Sequence, residues 1–362
     1  MFTTISFALF IGGLFVFFSY SPNLGGKNSK DAQIEIQKSK NYKKDKFQNL
    51  IPSPMAAPKF STMVKFFSKN EVQIPGKTLN TEAFSKEKFE STPQNTLSFC
   101  WFGHSTVLLR IENQTILIDP VFGKRASMFS FIGPTRFNYS NQYQIDQLPK
   151  IDAVLISHDH YDHLEYESIL ALKDKVNRFF VPLGVGVHLE KWGVSPKKIT
   201  ELDWWNEIDY SNEIKLVFTP ARHFSGRSLL TRNQTLWGSW SILGLNQKVF
   251  FGGDSGYFDE FKNVGDKFGP FDLAFVENGQ YNEDWANIHM MPEQSALVGS
   301  ELKAKAVVPI HWGKFSLSVH AWEEPVVRFL KASKEYDYQS LTPYPGQIMT
   351  FPWQITFEWW KS

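Results

Sequence analysis

The chain has 362 residues, 42% of them hydrophobic, enough for one large domain or two of ordinary size around a substantial core. Its formal net charge of +1, with no basic tract in the body of the chain, argues against broad electrostatic binding to nucleic acid. The single cysteine, Cys100, excludes an intramolecular disulfide and a thiolate metal cage, so any transition-metal site must be built from imidazole and carboxylate.

The first predicted element is hydrophobic. No charge occurs from Met1 to Gly26, and "ISFALFIGGLFVFFSY" (Ile5 to Tyr20) is almost free of polar groups. That length suffices for a helix to cross the roughly 30 Å hydrocarbon core of a bilayer. A cleaved signal peptide would want a basic start and a small-residue cleavage site, and neither is clear here. The segment 1–26 is therefore read as an anchor in preference to a signal. The lysines that follow, Lys27, Lys30, Lys38, Lys40, Lys43, Lys44 and Lys46, place the downstream chain on the cytoplasmic side by the positive-inside bias.

Residues 27–95 read as a tether and N-terminal extension. "IPSPMAAPKF" carries three prolines from Pro52 to Pro58 and predicts extended chain. "STMVKFFSKN" predicts a short amphipathic helix. Its Met63, Val64, Phe66 and Phe67 pack on the domain by default, with lipid contact as the alternative.

From residue 96 to 362 the pattern becomes that of a folded domain. "LSFCWFG", "TVLLRIE" and "TILIDP" are strands, with "ENQ" as a hairpin turn, and Cys100 is a core thiol in the first of them. "DAVLIS" is a buried strand followed by the helix "EYESILALK". "RFFVPLG" is a strand, "GVHLEKWG" a helix, and "EIKLVFTP", "LWGSWSILG", "KVFFGGD" and "DLAFVE" are strands. A helix opened by Pro292, the strand "AVVPIHWG" and the helix "AWEEPVVRFLKAS" close the domain. Meanders that give way to strand–helix alternation, repeated in two halves, predict two sheets face to face with helices outside.

The chemistry concentrates in "ISHDHYDHLE". A chain with nine histidines places three of them, with two aspartates, at positions 158 to 163. The run follows a strand, where the backbone is fixed at one end. His158 and His160, two apart in extended chain, point to one side, and the turn brings Asp162 and His163 around. Imidazole and carboxylate suit zinc, and also manganese or iron. Other strand ends supply further ligand types: His223 in "FTPARHFSGR", Asp254 in "FFGGDSG" and His311 in "VVPIHWG". Together they predict a dinuclear centre. His188 and His320 are assigned no role, and Ser225 and Ser255 are read as structural or as supports behind the ligands.

The order H-x-H-x-D-H, then His223, Asp254 and His311, resembles the metallo-β-lactamase superfamily of hydrolases over roughly residues 96 to 350. That resemblance implies an α/β, four-layer αββα sandwich, here with the N-terminal anchor helix added. It implies that His158, His160 and His223 hold one Zn²⁺, that Asp162, His163 and His311 hold the second, and that Asp254 bridges them. Two such cations activate a shared water as hydroxide and stabilise the anionic transition state. "WFGHSTVLL", "DPVFGKRAS", "GPTRF", "GDSGY", "IHMMPEQS" and "IHWGKF" are similar to the branch that contains N-acyl-phosphatidylethanolamine-hydrolysing phospholipase D and the ascorbate-6-phosphate lactonase-like proteins. In that branch the histidine of "IHM" lies beside the metals, which marks His289 for phosphate contact or proton transfer. His104 in "GHST" faces the same cavity or makes a core hydrogen bond.

The chain departs from the phospholipases at "ENGQYNEDWANIHM", which has Tyr281 but not the Pro-Arg that suits a phosphate. Arg222, Arg227, Arg136 and Lys314 are the candidate substitutes. The anchor and the 16% aromatic content favour a membrane-derived substrate, an N-acyl phosphatidylethanolamine or related lipid. The alternatives are a hydrolase of a small soluble lactone, ester or phosphodiester, and a non-catalytic metal-binding membrane protein. No feature excludes a homodimer.

Overall fold

A computed structural model describes residues 21–54, 57–68 and 72–361. Its core is a pair of seven-stranded sheets. The first sheet contains β3 (Ser98–Trp101), β4 (Val107–Ile111), β5 (Gln114–Ile118), β6 (Ala153–Leu155), β7 (Arg178–Pro182), β8 (Ile199–Leu202) and β16 (Ile348–Thr350), in the order β16-β3-β4-β5-β6-β7-β8. The second contains β9 (Glu207–Asp209), β10 (Ile214–Thr219), β11 (Ser239–Gly244), β12 (Lys248–Phe251), β13 (Leu273–Glu277), β14 (Ala306–Ile310) and β15 (Gln339–Ser340), in the order β15-β14-β13-β12-β11-β10-β9. Each sheet begins as an antiparallel meander and continues in parallel, at β5–β6 in the first and β12–β13 in the second. β1 (Tyr42–Lys43) and β2 (Lys46–Phe47) form a separate small hairpin.

Side-chain alternation explains the layering of the second sheet. Leu216, Phe218, Val249, Phe251, Phe275, Val308 and Ile310 join the core shared with the first sheet. Their neighbours Val217, Phe250, Ala274, Val276 and Val307 face the other way, into a second cluster. That cluster holds Phe261, Val264 and Phe268 of helix Glu260–Phe268, Ala296 and Val298 of helix Pro292–Glu301, and Phe329 of helix Glu324–Ala332. A sheet buried on both faces by this pattern is the mixed α/β sandwich predicted from the strand and helix order. The helix Glu260–Phe268 is an addition to the expected elements, although its buried Phe261, Val264, Gly265 and Phe268 have amphipathic helical spacing.

The N-terminal segments differ most from expectation. Residues 1–20, the body of the predicted anchor, lie outside the described residues, and none of the described helices is long and apolar enough to cross a membrane. The last six residues of the predicted anchor lie against the sandwich. The Trp192 indole N–H donates to Pro22 O at 2.7 Å, Arg227 Nε donates to Asn23 O at 2.7 Å, and the Gly26 N–H meets His188 Nδ1 at 3.1 Å. Gly25 sits at φ +74°, where a Cβ would lie 2.1 Å from His188 Nδ1, so only glycine fits this approach.

The predicted tether also packs closely. Ile36, from helix Lys30–Gln37, and Phe47 are fully buried in the main core. Pro-rich residues 52–54 lie outside helix and strand and are held: Arg222 donates to Ser53 Oγ and Pro52 O, and Asn287 Nδ2 donates to Pro54 O. The predicted amphipathic helix spans Phe60–Phe67, with Thr62 buried while Phe60 and Val64 are exposed.

Candidate metal centre

The predicted ligands meet at the carboxyl ends of the central strands. His158, His160, Asp162 and His163 follow β6, and His163 N and Leu164 N both close on His160 O to form the turn. His223 follows β10, Asp254 follows β12, and His311 follows β14. Gly253, at φ +59°, lets the Asp254 loop approach the first sheet; a Cβ there would lie 2.8 Å from Gly238 O and 2.9 Å from Ser157 Cβ.

The side chains fall into two groups with Asp254 between them. In the first, His160 Nδ1 lies 2.9 Å from His158 Nε2 and 3.2 Å from His223 Nε2. In the second, His163 Nε2 and His311 Nε2 lie 3.4 and 3.3 Å from Asp162 Oδ2. Asp254 Oδ1 is 3.1 Å from His163 Nε2, and its Oδ2 is 3.1 Å from His311 Nε2, 3.7 Å from His223 Nε2 and 3.9 Å from His158 Nε2. Donor atoms within each group all lie within 4.8 Å of one another.

This arrangement fits bound cations. Three imidazole nitrogens converge in the first group, with His160 Nδ1 between the other two. His163 Nε2 and Asp254 Oδ1 are buried without a hydrogen-bond partner, although they lie 3.1 Å apart. A cation between such atoms satisfies them at once, and the nitrogen–carboxylate set suits zinc, manganese or iron.

The electrostatics agree. Burial holds His158 and His223 well below the usual imidazole range, which keeps their lone pairs free. Burial opposes ionisation of Asp162 and Asp254, but His163 and its neighbours outweigh it and hold both carboxyls well below the usual range. Burial likewise opposes a charge on His311, yet Asp254, Asp162 and Glu277 raise it to about 10. His163 is held well above its ordinary value, against burial, by Asp254, Asp162 and Asp119. Protons on His163 and His311 answer the same need as a divalent cation, positive charge between two carboxylates.

Groups behind the rings fix them. Asp119, just past β5, accepts from Ser157 N at 2.7 Å through Oδ1, and its Oδ2 meets His163 Nδ1 at 2.7 Å. Glu277, at the end of β13, contacts His289 Nδ1 through Oε1, which is 3.3 Å from His311 Nδ1. His223 Nδ1 donates to Ile288 O at 2.9 Å, and Ser157 Oγ lies 3.0 Å from His158 Nδ1. Asn49 of the N-terminal extension receives the His223 N–H and donates to its carbonyl. Asp119, Glu277 and Asn49 join the site in addition to the residues expected there. The strand-end rule that marked Asp254 applies equally to Asp119 and Glu277; nothing local marks Asn49. His104 turns out to be fully buried beside the second group, with Nε2 2.8 Å from Asp162 Oδ2.

The metal-side residues open onto a cavity of about 450 Å³. His160, Asp162, Asp254, His289 and His311 form its floor, and Phe224, Trp285, Ile288 and Leu317 line its walls. Pro58, Thr62, Met63 and Phe66 complete it from the N-terminal extension. Asp284 Oδ2 holds that wall, accepting from Lys59 N at 3.1 Å and Thr62 Oγ1 at 2.7 Å. None of the four cations expected to meet a phosphate lines this cavity. Arg222 is engaged by residues 52–53, Tyr257 and Asn287; Arg227 by Asn23, Asp159 and Leu164; Arg136 by Phe122 and Gln142; and Lys314 by Val121. His188 and His320 stand apart from the cluster, on Asp159 and on the Ala321 carbonyl. Ser225 and Ser255 bond to backbone.

Comparison with known proteins agrees with the geometry. The model of the Beta-lactamase superfamily domain matches residues 114–312. The Mycobacterium tuberculosis protein Rv0906 is 44% identical over 271 residues, covering 73% of this chain and 72% of that one. The Caenorhabditis elegans N-acyl-phosphatidylethanolamine-hydrolyzing phospholipase D 1 is 32% identical over 260 residues, covering 68% and 72%. Among solved structures, Igni18, a metallo hydrolase from Ignicoccus hospitalis, shares the fold with a TM-score of 0.55 at 21% identity, covering 72% of this chain and 100% of that one. With a family match over more than half its length and its donor clusters at the strand ends, the chain belongs to the β-lactamase superfamily as a metal-dependent hydrolase.

Proposed function

We propose that this protein is a dinuclear zinc phosphodiesterase of phospholipase D type that acts on N-acyl phosphatidylethanolamine or a related lipid. The observation that carries this reading is an apolar cavity of about 450 Å³ whose floor is the ligand cluster. His158, His160 and His223 would hold one metal and Asp162, His163 and His311 the other, with Asp254 shared. Bound there, the two ions supply Lewis-acid charge and water acidic enough to yield a nucleophile near neutral pH. Asp254 offsets the repulsion of two adjacent cations. His289 would serve the leaving group: with its Nδ1–H held by the Glu277 carboxylate, Nε2 is the nitrogen left to take up a proton, giving an imidazolium that Glu277 stabilises, and to pass that proton to the leaving oxygen. Phe224, Trp285, Ile288, Leu317, Met63 and Phe66 take the apolar part of the substrate and exclude water. In this reading residues 1–20 anchor the enzyme to a membrane, with the catalytic domain on the cytoplasmic side.

The kinship to the nematode phospholipase supports the lipid. The alternative substrate, a small lactone, ester or soluble phosphodiester, draws support from the lining: among its described residues none is Lys or Arg, which leaves a phosphate to the metal charge alone. The deciding experiment offers the zinc-loaded enzyme N-acyl phosphatidylethanolamine and, separately, a panel of lactones and soluble esters. Release of phosphatidic acid is expected; turnover of the soluble panel alone would transfer the assignment to the alternative. Asp162→Asn and His311→Ala should each lower turnover at least about a hundredfold, and unchanged rates would refute the ligand assignment.

A further inference from the structure

His104 sits among the clustered histidines with one ring nitrogen held by a carboxylate and the other buried without a carboxylate, hydroxyl or carbonyl beside it. His158, His163 and His223 each have a hydrogen-bonding group behind the ring, Ser157 Oγ, Asp119 and the Ile288 carbonyl respectively, and His311 Nδ1 faces the Glu277 carboxylate at 3.3 Å without a hydrogen bond. Such a partner is the usual companion of a metal-bound imidazole. His104 has none. Its Nδ1 is buried with no hydrogen-bond partner among the described residues, while Nε2 is engaged by Asp162 Oδ2 at 2.8 Å, the closest of three imidazoles on that oxygen.

The backbone of His104 is tied as firmly as its ring. His104 N donates to Trp312 O at 3.0 Å, and His311 N donates back to His104 O at 2.8 Å. The indole of Trp101 also donates to His104 O, at 2.8 Å. The His104 ring centroid is 4.2 Å from that of His311, and Phe315 closes the far side edge-on at 5.4 Å. Both His104 and His311 hold left-handed backbone, at φ +55° and +68°, a conformation that persists in a bulky residue only where its surroundings enforce it. The two come from different sheets: His104 joins β3 to β4 in the first, and His311 follows β14 in the second. Asp162, like His104, belongs to the first sheet.

We propose that His104 is a positioning residue that sets the second metal site. It straps the ends of the two sheets together, and its Nε2–H fixes one oxygen of Asp162 in relation to His311 Nε2. A site whose ligands arrive from two separate layers needs such a brace, because a shift of either layer changes the donor spacing. This inference rests on the two-metal reading above and adds to it a residue that binds no metal itself.

The test measures metal rather than turnover. Wild type, His104→Ala, His104→Gln and His104→Asn are stripped with chelator and dialysed against zinc. Zinc per chain is then counted, each affinity is measured by competition with a chromophoric chelator, and the visible spectrum of the cobalt form reports ligand geometry. Wild type should hold two ions. His104→Ala should keep one at wild-type affinity and bind the other about 10–100-fold more weakly, with an altered cobalt spectrum. His104→Gln, whose amide nitrogen falls near the position of Nε2, should recover most of the loss. His104→Asn, which reaches only the position of Nδ1, should not. Full retention of both ions by His104→Ala, or equal losses in the Gln and Asn variants, would overturn the proposal. If the Ala variant does not fold, the Gln–Asn comparison decides alone. A wild-type chain that takes up fewer than two ions would instead overturn the two-metal reading, and this inference with it.

Discussion

Asp119→Asn should weaken one metal site without disturbing the fold. The carboxylate is fully buried and accepts three contacts: Ser157 N at 2.7 Å, Ser157 Oγ at 2.6 Å and His163 Nδ1 at 2.7 Å. An asparagine is nearly isosteric and keeps one oxygen for the Ser157 N–H. Its amide nitrogen then faces Ser157 Oγ and His163 Nδ1, where an acceptor stood. Two donors cannot share that contact, so His163 must move its remaining proton from Nδ1 to Nε2, the nitrogen that faces Asp162 and Asp254. The variant therefore loses a charge-assisted hydrogen bond, worth about 1.5–3 kcal/mol, and presents the wrong tautomer to the metal. Both effects correspond to roughly 10–100-fold weaker binding at the second site. Chelator competition on the purified variant measures this directly. Affinity within twofold of wild type would refute the argument that Asp119 dictates the His163 tautomer.

Three further outcomes are expected. Burial, reinforced by Arg136, lowers the Lys314 ammonium from 10.5 to about 7. The folded chain thus binds fewer protons than the unfolded chain between those values, and stability rises with pH across that window, by on the order of 5 kcal/mol. Lys314→Met removes this dependence. Its stability relative to wild type, measured by denaturant unfolding, should be most favourable below pH 7 and decline toward pH 10; a constant difference would contradict a buried, destabilised ammonium. Asp284→Ala removes the acceptor for Lys59 N and Thr62 Oγ1, so proteolysis should cut within residues 57–68 sooner, and KM should rise more for substrates with long apolar groups than for short ones. Equal KM changes across the series would mean that helix Phe60–Phe67 is not a substrate wall. Deleting residues 1–20 should release the protein from membranes, and extending the deletion to 1–26 should cost about a further 3 kcal/mol through the contacts of Trp192, Arg227 and His188. A 21–362 chain that still sediments with vesicles would place membrane attachment elsewhere.

What could be read from the sequence was what is local. Three histidines and two aspartates within six positions announce a metal site because no packing role needs that density, and the strand-end rule then gathers His223, Asp254 and His311. The two halves of the sandwich were visible because buried strands read as apolar runs whatever they pair with. The groups that fix those ligands carry no such mark. Asp119 and Glu277 are ordinary carboxylates at strand ends until burial and a facing imidazole give them work, and a surface Asp at a strand end reads the same. Asn49 meets His223 across 174 positions, a contact no local pattern encodes.

The N-terminal extension shows the same limit from the other side. Proline at 52, 54 and 58 argues against helix and for extended chain, since proline removes the donor a helix needs. Extended chain is silent about whether it hangs free or lies in a groove, because that depends on acceptors and donors elsewhere: Arg222, Asn287 and Asp284 in this fold. The consequence reaches function. A catalytic floor built from the β-lactamase-type domain meets a cavity wall built partly from residues 58–66, outside the region the family model matches. Relatives can thus keep the chemistry while the extension changes what fits above it, and this is why the metal cluster was legible in the sequence before the substrate was.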